Sequence, residues 1–175
     1  MEEASFEIVL EERSDGLEEG ELGRFGPRGS DAVEFLIATN PGVPAGRLRE
    51  IASGGELSRV MLALLSVATS LDGPETVVFD EIDAGVGGNT ARAVGRKLRE
   101  LGERRQVICI THLPQVASLA RRHFRVVKRS GLEVAQAEVE QLDRRELVGE
   151  LCRMLGAEED DGAARRHAER LLAAA

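Results

Sequence analysis

Thr76-Val77-Val78-Phe79-Asp80-Glu81 decides the reading of this chain: a short apolar, β-branched run delivers two adjacent carboxylates to its C-terminal end. Mg²⁺-nucleotide chemistry uses such a pair, one acid holding the metal's water shell and the other orienting an attacking water. It also needs a Gly-rich loop ending in Gly-Lys-Ser/Thr to cradle the phosphates. That loop is missing. Lys97 and Lys128 are the only lysines and follow Arg96 and Val127, so the sequence contains no Gly-Lys dipeptide. The residues therefore spell half of a nucleotide-hydrolysing site. Read without their company, Asp80 and Glu81 are acids opening a surface turn.

The surrounding composition is that of a globular domain with a real core: 175 residues, 42% hydrophobic and 31% charged. The longest apolar stretch, Val60 to Ala68, is too short to span a bilayer. The acidic N-terminus lacks the layout of a signal peptide, so the reading is a cytoplasmic protein with no membrane partner. A net charge of −8 argues against a broad basic face able to neutralise many phosphates, and DNA contact by this half alone is expected to be weak. Arg121-Arg122 and Arg165-Arg166 are open to phosphate contacts or to plain solvated helix faces. Cys109 and Cys152 stand far apart, without Cys or His at ligand spacing, and read as buried thiols.

Along the chain, Phe6, Ile8 and Leu10, then Val33, Phe35 and Ile37, alternate with polar residues and predict half-buried antiparallel strands. Arg13 to Asp31, rich in Gly, Glu and Asp, reads as a long exposed connection or mobile hairpin tip, and Asn40-Pro41-Gly42 as a turn. Leu57, Val60, Met61, Leu64, Leu65, Ala68 and Leu71 follow helical spacing, stopped by Gly73-Pro74. After the strand to Phe79 come a Gly-rich loop, a helix from about Thr90 to Leu101 and a strand Val107 to Ile110, a parallel βαβ unit. Pro114 opens a short helix to Ala120, and Phe124 to Lys128 turns at Ser130-Gly131 into Leu132 to Val139. Two C-terminal helices follow, the first stopped at Gly156 and the second over Ala163 to Ala174.

Three further motifs carry chemistry. Ser53-Gly54-Gly55-Glu56 opens the long helix, where backbone N–H groups and the positive dipole end receive an anion such as a nucleotide γ-phosphate; Ser-x-x-Glu is equally a capping box. Asp83 leads Ala84-Gly85-Val86-Gly87-Gly88, a loop suited to a subunit interface or a plain glycine turn. His112 follows the strand ending at Ile110, at the sheet edge where α/β ligands bind, and is placed to hydrogen-bond a γ-phosphate unless it is structural.

In this order the motifs resemble the second half of an ABC-type ATPase head, and more closely the RecN family of bacterial DNA-repair proteins. Ile51-Ala52-Ser53-Gly54-Gly55-Glu56-Leu57-Ser58-Arg59 is similar to that family's signature motif, Phe79 to Gly88 to its Walker B and D-loop, and Thr111 to Ala117 to its switch-His segment. Val33-Glu34-Phe35, Thr39-Asn40-Pro41-Gly42 and Arg153-Met154-Leu155-Gly156 carry the likeness along nearly the whole chain. The resemblance implies an α/β fold: the C-terminal lobe, over 1–175, of an ABC/SMC-type P-loop head, a mostly parallel sheet flanked by helices with antiparallel N-terminal strands. The Walker A loop belongs to an N-terminal half joined through a long coiled coil. It implies ATP and Mg²⁺ as cofactors, a second head as an ATP-dependent homodimer partner, DNA bound by the full-length protein in double-strand break repair and recombination, and a nucleoid-associated location. For the site it implies Ser53, Gly54, Gly55 and Glu56 at the γ-phosphate of the opposite head, Asp83 beside the nucleotide, Asp80 on Mg²⁺, Glu81 activating water and His112 sensing the γ-phosphate. The isolated chain is then expected to be inactive. Two other readings stay open, a transporter nucleotide-binding fragment and a non-enzymatic interaction module; the run Ala84 to Gly88 departs from the usual transporter D-loop.

Overall fold

The computed structural model describes residues 4–12, 18–20, 23–25, 29–38, 42–51, 54–67, 75–129, 136–158 and 161–175. It divides the chain into two compact units, Met1–Ser53 and Gly54–Ala175.

The first unit contains β1 (Ser5–Glu12), β2 (Glu18–Gly20), β3 (Gly23–Phe25), β4 (Asp31–Ala38), β5 (Gly46–Arg47) and the short helix α1 (Leu48–Ile51). β1 and β4 pair antiparallel with Phe6 opposite Ile37, Ile8 opposite Phe35 and Leu10 opposite Val33. Alternation thus puts Phe6, Ile8, Leu10, Val33, Phe35 and Ile37 on one face, where cross-strand pairs stabilise the sheet, and leaves Val9 and Leu36 on the other with Glu34. The Phe6 and Phe35 rings stack with centroids 5.6 Å apart. The strands match the expectation, but their apolar face is barer than half-buried: Leu10 is 71% exposed and Ile8 58%, and only Ile37, at 4%, is enclosed. Glu34, on the opposite face, draws Arg47 and Arg49 to it, at 3.8 and 3.1 Å. Within the acidic Gly-rich stretch β2 and β3 form a short antiparallel ladder. Asn40 and Pro41 of the expected turn lie outside the described residues, while Gly42 adopts φ 79°, a left-handed conformation that glycine tolerates.

The second unit runs α2 (Gly54–Val67), β6 (Thr76–Phe79), α3 (Gly88–Leu101), β7 (Gln106–Cys109), α4 (Pro114–Ala117), β8 (Phe124–Arg129), β9 (Gln136–Gln141), α5 (Arg144–Met154) and α6 (Gly162–Ala173). β6 and β7 are parallel, Val77 beside Val107 and Phe79 beside Cys109, with α3 as the crossover. These four side chains face a core built from Leu62 of α2, Val94, Leu98 and Leu101 of α3, and Val116 of α4. The alternate residues are bare: Val78 is 60% exposed and Ile108 47%. Parallel sheets normally have both faces covered; this pair has a helical layer on one. Among the described residues the strands fall into four separate sheets, of which β6–β7 is parallel and the others antiparallel. The Gly73-Pro74 helix stop lies outside the described residues.

β8 and β9 form the expected hairpin, Val126 opposite Val139, with its turn outside the described residues. α5 starts at a capping box in which Asp143 accepts from the Arg145 and Glu146 amides while Glu146 accepts from the Asp143 amide. Its Leu147, Val148, Leu151 and Cys152 enclose Ala168 of α6 in a second core cluster. Glu150 accepts from Arg153 at 3.0 Å and pairs with Arg125 of β8 at 3.9 Å, linking helix to hairpin. No described helix is long and apolar enough to cross a membrane.

Candidate functional site

The site grows from the way the chain leaves β6. Phe79 is 2% exposed and Ile82 is fully enclosed, so the chain must dip back into the core within three residues. Asp80 and Glu81 are left exposed on the rim. Glu81 makes the reversal at φ 56°, a left-handed conformation that costs a non-glycine residue on the order of 1–3 kcal/mol. Such strain persists only where the surroundings over-determine it, and here they do.

α2 supplies that determination. The Ser58 hydroxyl donates to the Asp80 carbonyl at 3.0 Å. Arg59 Nη1 donates to the carbonyls of Ile82 at 3.2 Å and Ala84 at 2.9 Å. A Cβ on Gly55 would stand 2.6 Å from the Glu81 carbonyl oxygen and 2.9 Å from the Ala84 Cβ, so this position must be glycine for helix and loop to meet. A Cβ on Gly54 would lie 2.9 Å from Glu81 Oε2, placing that carboxylate against the first residue of α2. The two glycines therefore admit a carboxylate-bearing loop, whatever anion they also receive. Glu56 is half-buried in the same turn. Ser53 lies outside the described residues.

Asp83 does not stand in the open. It is 2% exposed, and its Oδ2 accepts from the Thr111 hydroxyl at 2.5 Å and the His112 amide at 3.0 Å. His112 Nδ1 is 3.2 Å from the same oxygen, while the imidazole as a whole is 73% exposed. The register of β7 beside β6 explains the meeting, because Ile110 N–H donates to the Phe79 carbonyl and carries Thr111 and His112 to the level of the loop. Beyond Asp83 the chain turns through Gly85 at φ 69° and enters α3 at Gly88, φ 53°. Burial, then the charges of Asp83 and Asp80, push the Cys109 thiol up to about 12, so it stays neutral and unreactive.

The structure thus brings Gly54, Gly55, Glu81, Asp83 and His112 of the sequence reading to one rim. It adds Ser58, Arg59 and Thr111, which the sequence reading named within its motifs but gave no role. Their signal was polar character inside an apolar helix run and at the end of an apolar strand. Among the described residues no cluster of three or more His, Cys, Asp or Glu side chains is built to hold a metal. The exposed Asp80 fits a Mg²⁺ ion held by one carboxylate, with water and phosphate oxygens completing the shell.

No protein-family model matches the chain. It is 52% identical over 140 residues to the DNA repair protein RecN of Xylella fastidiosa (strain 9a5c), covering 80% of this chain and 25% of that protein. With RecN of Streptomyces coelicolor the identity is 48% over 171 residues, 96% of this chain and 30% of the relative. With RecN of Vibrio cholerae it is 38% over 175 residues, all of this chain and 30% of the relative. The Smc head domain of Pyrococcus yayanosii superposes with a TM-score of 0.56 at 23% identity, covering 80% of this chain and 24% of that one. That of Pyrococcus furiosus, bound to a ScpA domain, gives 0.55 at 23% identity over 79% and 31%. The fold is that of an SMC head. The chain spans between a quarter and a third of the length of the curated relatives it matches, and its likeness to RecN proteins runs along most or all of its own residues at 38–52% identity.

Proposed function

We propose that this chain is the C-terminal lobe of a RecN-type ATPase head, completed by a Walker A half of the same protein, that hydrolyses ATP at a head-dimer interface during DNA double-strand break repair. The convergence of Asp80, Glu81, the N-terminus of α2 and His112 on one rim carries this reading. The bare faces of β1–β4 and β6–β7 support it, since an added layer of the same head would bury them. The names of the RecN relatives and the SMC-head fold support the repair role and the ATPase class.

In this reading Asp80 holds the water shell of Mg²⁺, and the ion neutralises phosphate charge when bound. Glu81 takes a proton from the attacking water and orients it in line. His112 faces the γ-phosphate from β7's end. The first turn of α2, with Gly54, Gly55 and Glu56, presents its N–H groups to the γ-phosphate held by a second head, which Ser53, preceding it in the motif, also contacts, and this makes the active unit a homodimer. DNA binding belongs to the full-length protein, and the location is cytoplasmic and nucleoid-associated.

The test is an asymmetry between neighbours, measured in the head completed by its Walker A half, with the 175-residue chain alone as the inactive control. Glu81→Gln is expected to lower single-turnover hydrolysis by roughly 10²- to 10⁴-fold while ATP-bound dimers persist on sizing. Asp80→Asn is expected to weaken Mg-nucleotide binding itself. Hydrolysis by Glu81→Gln at the parent rate, or by the chain alone, overturns the assignment.

A further inference from the structure

We propose that Asp83 is a positioning residue for His112, fixing which ring nitrogen faces the rim, and that Arg59 holds the carbonyls on either side of it. The inference deepens the reading of His112 as the residue facing the γ-phosphate and rests on it for its functional consequence. Its structural part stands on geometry alone.

An imidazole that is 73% exposed has little packing to hold it, and a neutral ring has two tautomers that present opposite chemistry at a given edge. Asp83 removes both freedoms. Its Oδ2 receives the His112 amide, which anchors the residue's backbone, and lies 3.2 Å from Nδ1, which turns that nitrogen inward. A nitrogen facing a carboxylate carries the proton, so Nε2 is the nitrogen left for the rim, as in sites where a carboxylate orients a working histidine.

The carboxylate itself is not free to swing. The Thr111 hydroxyl donates to it and accepts from the Leu113 amide at 3.1 Å, locking that side. On the backbone side, the carbonyls of Ile82 and Ala84, the neighbours of Asp83, both accept from Arg59 Nη1 of α2. The ring of His112 and the first turns of α2 are thereby held on one frame, although Arg59 and His112 stand 53 positions apart in sequence. An Asp that merely started a surface turn would be exposed; this one is 2% exposed and spends its charge on Thr111 and His112.

Long-range ¹H–¹⁵N correlation of the imidazoles in the ¹⁵N-labelled 175-residue chain tests the orientation, with His112→Gln assigning the signal among the three histidines. In alkaline buffer the neutral ring of His112 is expected in the Nδ1–H form, and Asp83→Ala is expected to move it to the Nε2–H form favoured by free imidazole. In the completed head, Asp83→Ala is expected to lower kcat by roughly 10- to 100-fold with KM for ATP little changed, the signature of a misplaced group and not of lost binding. An Nε2–H tautomer in the parent chain overturns the proposal, as does an Asp83→Ala head that turns over ATP like the parent. Should Asp83→Ala unfold, the parent's tautomer and the milder Thr111→Val, expected to loosen the same carboxylate and broaden the His112 signals, decide the matter. A parent head that hydrolyses no ATP sinks the ATPase reading instead and leaves the tautomer result to stand or fall by itself.

Discussion

The β1–β4 ladder, of alternating sequence, and the β6–β7 pair, of nearly continuous apolar sequence, end in different surroundings. The first joins eight residue pairs and leaves most of its apolar face open; the second joins four and encloses Phe79 to 2% exposure. Length of ladder does not decide burial. What decides it is the layer above, and in the second unit α2, α3 and α4 provide one for the face bearing Val77, Phe79, Val107 and Cys109. The two regions differ in charge as well. The first 53 residues hold 12 of the 31 acidic residues but only 5 of the 23 basic ones, so the acidity of the chain belongs mainly to its first unit. The unit that carries the candidate site is close to neutral, and the net charge says less about phosphate binding there than it does for the chain as a whole.

Leu151 is fully enclosed between α5 and α6, and Leu151→Ala is expected to lower stability by about 2–5 kcal/mol in urea unfolding of the chain. A loss below about 1 kcal/mol would mean that the second unit is no better packed than the first. A smaller effect is expected at the join of α2 and the loop. Gly55→Ala places a Cβ against the Glu81 carbonyl and is expected to cost about 1–3 kcal/mol through overpacking, with hydrogen exchange rising at the Ala84 amide, which donates to that carbonyl. Unchanged stability and exchange would show that the loop shifts freely and that Glu81 is not held by the helix. The smallest effect belongs to the bare ladder: Leu10→Ser is expected to change the stability of the lone chain by about 0.5 kcal/mol or less, whereas the same substitution in the completed head costs the burial of a leucine, about 1.5–3 kcal/mol. Equal losses in both would show that the ladder gains no cover from the rest of the head.

Much of the fold was legible from periodicity. The helical spacing from Leu57, the strand to Phe79, the crossover helix and the Phe124 hairpin all appear within a few residues of their expected bounds, because each is set by local alternation and by turn residues beside it. The carboxylates at the end of β6 were equally legible, since a strand's end and the next two residues are a local matter. Asp83 was not. Its sequence neighbours, Ala84 and Gly85, say loop, and only the parallel register of β6 and β7 brings Thr111 and His112 to its carboxylate. Arg59 was hidden for the same reason, its partners lying 23 and 25 residues away.

By itself, then, the sequence determined the order of the elements, the polarity of each face and the placing of Asp80, Glu81 and His112 at strand ends, all properties that a few neighbouring residues settle through hydrogen bonding and side-chain alternation. Tertiary structure decided the rest. It put Glu81 into a left-handed turn, buried Asp83 behind His112, clamped the loop to α2 through Arg59 and chose which apolar faces received a layer. Those outcomes depend on which distant elements pack together, and packing is a property of shapes meeting in space that no local stretch of chain encodes alone.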